Sequence, residues 1–300
     1  MNQTPEPPST AEFRPFVDTG IYSLPATRYH ADPCPQPSLS NSIANILISQ
    51  SPLHAWHAHS RLNPNYQPET DSRFDLGSAA HMLLLERDLT KIAVVAADDW
   101  RTKVAKEARD VARSNGQFSV LARHYASMVQ MVAAARTFIA STELAGILDT
   151  GLPEQTVIWQ EGSAWCRARP DLLSAAHKVI LDYKTTENAE PEAFIRQIGR
   201  MGYDLQAEWY TRGLAAFGPE PTFVFLAQEI SAPYACSLVG LANSYRAVGQ
   251  SKVERALGLW KRCTETNTWP SYSTRICYAE PRPYELVEID TPKLTEEESE

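Results

Sequence analysis

Between residues 40 and 141 apolar side chains recur three and four positions apart, the spacing that gathers them on one face of a helix. A first helical stretch runs over residues 40–60 and breaks at Ser51-Pro52, because the residue before a proline is pushed out of the α region. A second helix starts at Gly77 with "GSAAHMLLLER", and two more cover residues 100–114 and 119–141. No strand pattern is expected in this half. From Glu154 the period falls to two: "TVIW", a turn at Glu161-Gly162-Ser163, "AWCRARPDLL", a short polar link, and "VILDY". Helices follow at about 190–199 and 203–217, then strands "TFVFLAQE" and "YACSLV", then a long helix over about 241–264.

The order is helices first, then βββ-α-α-β-β-α. That order predicts an α/β fold with one central mixed sheet flanked by helices and a largely helical N-terminal half. Residues 1–38 hold eight of the 21 prolines and are expected as an extended, loosely packed arm. Residues 39–278 are expected as a single domain, and 279–300, ending "LTEEESE", as a solvated acidic tail.

Charge changes this picture only through its position. The formal net charge of −8 argues against a polyanion partner until it is divided along the chain. Residues 1–38 contribute −2 and residues 279–300 contribute −6, which leaves a neutral body able to carry a basic groove. The five cysteines are scattered, with no C-x-x-C pair, so neither a zinc ribbon nor an iron–sulfur cluster is expected. His54, His57 and His59 lack a fourth ligand at a recognisable spacing and are read as structural. No apolar run approaches the ~20 residues a bilayer span needs, so no membrane partner is expected and the cytoplasm is the expected compartment.

Candidate chemistry concentrates in Cys166–Thr186. In a strand alternate residues share a face, so Asp182 and Lys184 point the same way while Tyr183 points the other. Asp171 closes the preceding strand. Neighbouring strands would bring the two carboxylates close enough to repel unless a cation sits between them. Hard oxygen donors suit Mg²⁺, with Mn²⁺ able to substitute, and the backbone carbonyl of Tyr183 is a further oxygen ligand. Lys184 then lies where it can orient a water and counter negative charge developing on a phosphate. Glu154, at the start of the first strand, is a further candidate carboxylate.

Pro170-Asp171 with Asp182-Tyr183-Lys184 resembles the signature of the PD-(D/E)XK nuclease superfamily, and within it the RecE-like (exonuclease VIII) exonucleases. Gly77 to His81, continuing to Leu85-Glu86, is similar to the helix that carries the metal-site histidine in the RecE and RecB-like branch. Gln206-Ala207-Glu208-Trp209-Tyr210, preceded by Gly202-Tyr203, resembles its Q-x-x-x-Y motif. Ser51-Pro52-x-His54 and Arg167-x-Arg169 match the same group, and the similarity spans about residues 39–278.

The resemblance implies a restriction-endonuclease-like fold with Asp171, Asp182, Tyr183 and His81 at the metal and Lys184 placing the water. Gln206 and Tyr210, four residues apart on one helical face, and Arg167 and Arg169, of one strand parity, are the candidate DNA contacts. Glu86 is taken as a helix-end residue. The resemblance further implies a 5′-to-3′ exonuclease on linear double-stranded DNA that makes single-stranded tails for recombination and repair. It also implies a ring-shaped homo-oligomer and a strand-annealing protein as partner. The competing readings are an endonuclease or RecB-like end-processing enzyme of the same superfamily, and an inactive DNA-binding or assembly protein with the same fold.

Overall fold

The proline-rich arm joins the body of the protein from Gly20 onward. In the computed structural model, which describes residues 18–67, 76–86, 89–176 and 178–281, Gly20–Tyr22 (β1) pairs antiparallel with a later strand and the short helix Ala26–His30 (α1) follows. The stretches 1–17 and 282–300, which hold most of the expected arm's first half and of the acidic tail, lie outside the described residues. Leu39–Ser40 (β2) leads into Asn41–Ser49 (α2), where the Ser40 hydroxyl accepts from Ile43 N at 3.4 Å. Ser51 caps Pro52–Ala58 (α3) in the same way, with Pro52 at the first helical position, where its missing amide costs nothing. The helix carrying His81, Leu76–His81 (α4), passes directly into a π turn over Met82–Glu86.

Two strands stand where only helix was expected. Ile92–Val95 (β3) and Phe118–Leu121 (β4) form a parallel ladder around the crossing helix Lys103–Ser114 (α5). Apolar runs of four residues are too short for their period to separate strand from helix, and here mutual pairing decides. Ala122–Ala140 (α6), Ile147–Thr150 (α7) and Leu152–Pro153 (β5) complete this half.

Thr156–Glu161 (β6) and Ala164–Ala168 (β7) form the expected hairpin. The run read as one strand, "AWCRARPDLL", is two: it leaves β7 at Ala168 and resumes as Leu172–Ser174 (β8), with Arg169-Pro170-Asp171 as the joint. A proline has no amide to give a ladder, so a break there is cheap. Val179–Thr186 (β9), Pro191–Met201 (α8), Tyr203–Ala215 (α9), Thr222–Glu229 (β10), Cys236–Gly240 (β11) and Asn243–Thr266 (α10) follow in the expected order.

That joint divides the expected central sheet in two, and β3-β4 adds a third, so the described strands make three sheets. Their orders are β1-β6-β7-β2, β11-β10-β9-β8-β5, and β3-β4. The five-stranded sheet is mixed, since β9 and β10 run parallel while their outer neighbours run antiparallel. The α/β class with mixed sheets flanked by helices holds.

β9 divides the interior. Ile180 packs into a core shared with α2, α8, α9 and α10, whereas Val179, Leu181 and Tyr183 pack with α4, α6 and α7. Helices therefore cover both faces, as buried parallel strands require. One compact unit runs to Pro270, and a second begins at Ser271. The described part of the second unit, residues 271–281, consists of turns and coil. No described helix is long and apolar enough to cross a membrane.

Candidate active site

Strand parity sends Asp182 into the α9 face of β9, where the side chain is completely buried. Its Oδ2 accepts from Gln206 Nε2 at 3.0 Å. Its Oδ1 has no well-directed hydrogen bond and lies against the Lys184 ammonium, two residues along the same face. Lys184 also sits 5.3 Å from the centre of the Tyr203 ring, so a cation–π contact supports it from α9.

Asp171 arrives from the joint between β7 and β8. Its Oδ2 accepts from the backbone N–H of Tyr183 at 2.9 Å, which fixes the carboxylate beside the residue that follows Asp182. His81 Nε2 reaches the same Asp171 oxygen at 3.2 Å and Glu154 Oε1 at 3.6 Å. What brings His81 in is Gly77: a Cβ there would meet Thr185 Oγ1 at 2.3 Å, so only glycine lets α4 approach β9 this closely.

Glu154 does not lie in the first strand of the hairpin. It sits on the tight turn before β6, at φ 56°, with its N–H bonded to the Asp171 carbonyl at 3.1 Å. Its carboxylate contacts His81 on one side and the Arg169 guanidinium on the other.

Glu86 is the residue the sequence hid. Five residues along an α-helix amount to a rotation of about 140°, which would turn Glu86 away from His81. The π turn over Met82–Glu86 bonds i to i+5 and brings the two back to one side. Ligand atoms of His81, Glu86 and Glu154 all lie within 4.8 Å of one another, although Glu86 Oε2 is also held by Lys91 Nζ at 2.6 Å. A histidine and an acid five apart, next to apolar residues, is a faint signal unless the π turn is anticipated.

Electrostatics mark this cluster. Burial, reinforced by the nearby Asp171 carboxylate and only partly offset by Lys184, pushes Asp182 up to about 7. Burial alone would lower His81, but the carboxylates of Asp171, Glu154 and Asp182 outweigh it and carry the imidazole up to about 9. Asp171 moves the opposite way: burial would raise it, but the His81 cation and then Lys184 hold its carboxyl below the usual range. Burial raises Glu154. The donor types fit a divalent cation: a buried carboxylate oxygen without a directed hydrogen bond, a second carboxylate and an imidazole are the donors Mg²⁺ or Mn²⁺ takes, although the ligand atoms that lie within 4.8 Å of one another are those of His81, Glu86 and Glu154.

The remaining candidates divide. Gln206 and Tyr210 share a face of α9 as expected, but both are buried, with Gln206 bonded to Asp182 and the Tyr210 phenol beside Gln206. They brace the carboxylate from behind. Arg167 and Arg169, of one parity, part company. Arg169 joins Glu154, while Arg167 is buried against Asp32, at 3.1 Å, and against Ser38. The Tyr183 phenol points to the other face of β9 and donates to Gln228 Oε1 at 2.5 Å. None of His54, His57 and His59 joins the His81 group, and His59 lies buried beside Asp32. A polar groove of about 400 Å³ lined by Glu208, Arg212, Asn243 and Arg246 lies on the α9–α10 surface, apart from these residues.

Comparison with known proteins follows the same line. A family model described as a "PDDEXK-like domain of unknown function (DUF3799)" matches residues 48–281. A crystal structure from Eubacterium rectale, carried under the provisional name of exonuclease, superposes with a TM-score of 0.57 at 13% identity, covering 88% of this chain and 98% of that one. At that identity the likeness is one of fold. No curated protein sequence matches the chain.

Proposed function

Because this chain belongs to the DUF3799 family of PDDEXK-like domains, we propose that it is a Mg²⁺-dependent nuclease that hydrolyses phosphodiester bonds of DNA. The observation that carries this is the Asp182–Lys184 pair on β9, its carboxylate fully buried and its ammonium half-buried, with Asp171 and His81 beside it. Such a cluster is costly in a folded protein unless it does chemistry.

Asp171, Asp182, the Tyr183 carbonyl and His81 would hold the metal. Bound there, Mg²⁺ supplies Lewis-acid polarisation of the scissile phosphate and lowers the pKa of water. Lys184, held between Asp182 and the Tyr203 ring, orients the attacking water and counters charge gathering on the phosphate oxygens. Gln206 fixes the Asp182 carboxylate. His81 and Asp182 must give up their protons before they can act as ligands. Water adds to phosphorus, the P–O bond to the neighbouring sugar breaks, and the proton lost by the water ends on the departing sugar oxygen, so one fragment keeps the phosphate and the other ends in a hydroxyl.

In its fuller form the proposal is a 5′-to-3′ exonuclease on linear double-stranded DNA that leaves single-stranded tails for recombination and repair. It would work in the cytoplasm as a ring-shaped homo-oligomer alongside a single-strand annealing protein. The PDDEXK-like family and a fold neighbour that carries an exonuclease name support the nuclease part of this reading. Linear duplexes labelled at the 5′ or the 3′ end, digested with and without Mg²⁺, test chemistry and direction together. Mg²⁺-dependent release of the 5′ label first is the expected result. Internal cuts in closed circular DNA would favour the endonuclease reading, and the absence of any hydrolysis would end the proposal.

A further inference from the structure

The candidate site is walled on one side by a segment that its motifs do not include. Arg169 donates to the Leu24 carbonyl at 2.8 Å and to Thr156 Oγ1 at 3.3 Å, and its Nε meets Glu154. The Tyr29 ring, 8% exposed, lies under two guanidinium groups at once, 5.5 Å from Arg167 and 5.8 Å from Arg169. Both Leu24 and Tyr29 belong to the stretch between β1 and β2, which two strand pairings tie to the β6–β7 hairpin. A contact path therefore runs from the arm to the histidine: Tyr29 and Leu24 to Arg169, Arg169 to Glu154, Glu154 to His81.

Each link restricts the next. Glu154 sits at φ 56°, a backbone region in which a glutamate needs support, and its N–H is pinned to the Asp171 carbonyl. Its side chain is caught between Arg169 and His81. A guanidinium has five donors in a rigid fork, and Arg169 spends them on three different elements, so it works as a clamp. The clamp itself is held from above by a carbonyl and a ring that only the folded arm provides.

We propose that the segment 20–40 is a working part of the site: Leu24 and Tyr29 hold Arg169 as a positioning residue, and Arg169 sets Glu154 and through it His81. The inference rests on the metal-dependent reading of the cluster, and it reassigns Arg169 from a DNA contact to an internal brace.

The test compares Tyr29→Phe, which keeps the ring, with Tyr29→Leu, which keeps apolar bulk but removes the π face. Mn²⁺ binding to the full chain is measured by calorimetry without DNA, beside kcat on linear duplex DNA and the melting temperature. Tyr29→Phe should match the wild type. Tyr29→Leu should weaken Mn²⁺ binding and lower kcat by about tenfold each, the lower end of what loss of a residue supporting metal ligands costs. Leu257→Ala, on α10, supplies the control for stability alone: it should lower the melting temperature with Mn²⁺ affinity unchanged. Tyr29→Leu that melts lower yet binds Mn²⁺ as well as the wild type overturns the proposal. If the wild type binds Mn²⁺ but cuts no DNA, the nuclease reading falls, and the affinity comparison still decides whether the arm positions the site.

Discussion

Two buried charged clusters lie on either side of Ala168, and they have opposite characters. Around Asp32 the carboxylate itself is fully engaged, although Arg167 Nε beside it has no directed partner: the carboxylate accepts from Ser38 N at 2.8 Å and Ser38 Oγ at 2.6 Å, and pairs with Arg167 at 3.1 Å. His59 there uses both ring nitrogens, with Nε2 3.0 Å from the Ser38 carbonyl and Nδ1 accepting from Arg61 N at 3.1 Å. Burial and the neighbouring Arg167 hold it down at about 4, so it is neutral. Around Asp182 the reverse holds. One carboxylate oxygen lacks a directed bond, Asp182 is pushed up to about 7, and His81 is carried up to about 9. A satisfied polar network fixes structure, whereas an unsatisfied one keeps free energy available for a ligand. Two histidines shifted in opposite directions make the same point.

The sharpest way to break this contrast is to remove the ammonium. Lys184→Ala and Asp182→Ala should each cut Mg²⁺-dependent nucleotide release by about a thousandfold or more, roughly 4 kcal/mol, with DNA binding largely kept. A gel assay on labelled linear duplex measures this, and full activity in either variant would refute the assignment. Asp32→Ala should act on stability. It strands Arg167 in the interior, at a cost of about 3 kcal/mol or more, so the melting temperature should drop by about 10 °C. An unchanged melting curve would show that the Asp32 network is ornamental. Smaller still is Gln206→Ala, which removes one hydrogen bond to a charged carboxylate. Mn²⁺ affinity should weaken about tenfold, as calorimetry would register, with Tyr210→Phe nearly silent.

How legible the two clusters were in the sequence differs for physical reasons. Asp182 and Lys184 could be paired from period two alone, because strand parity is local. Pro170-Asp171 could be placed near them because the link to β9 is short. Arg167 and Arg169 looked alike by the same parity, and the joint at Pro170 made that rule fail: one arginine turned inward to Asp32 and the other toward Glu154. Asp32, Ser38 and His59 meet only through tertiary folding of a proline-rich arm, and proline content reads as looseness whether or not the segment docks. Glu86 was hidden by helix geometry, since an α period sends it away from His81 and only the π turn returns it. β3 and β4 were hidden by their length, four residues each.

The finest discrimination between the clusters is pH. With a folded value near 7 against an ordinary 3.8, Asp182 binds its proton more tightly in the native state, so its contribution to stability declines as pH rises from about 4 to about 7. His81 is raised from 6.5 to about 9, and its stabilisation is full below 6.5 and is lost as pH climbs through 9. Both slopes have one sign, but below pH 6.5 the opposite slope of His59 offsets that of Asp182, so the metal-free protein should lose stability with rising pH chiefly above 6.5, and Asp182→Asn should leave the His59 slope exposed below it. His59 has the other sign: lowered to about 4, it costs stability only as pH falls below 6.5. A divalent ion displaces the protons of Asp182 and His81, so Mn²⁺ affinity should rise by up to about tenfold per pH unit per proton displaced between about pH 6 and 8.5. Calorimetry in buffers of different ionisation enthalpy counts those protons directly. If no protons are released and the affinity stays flat, Asp182 and His81 are not ligands, and the contrast between the clusters would reduce to one of packing.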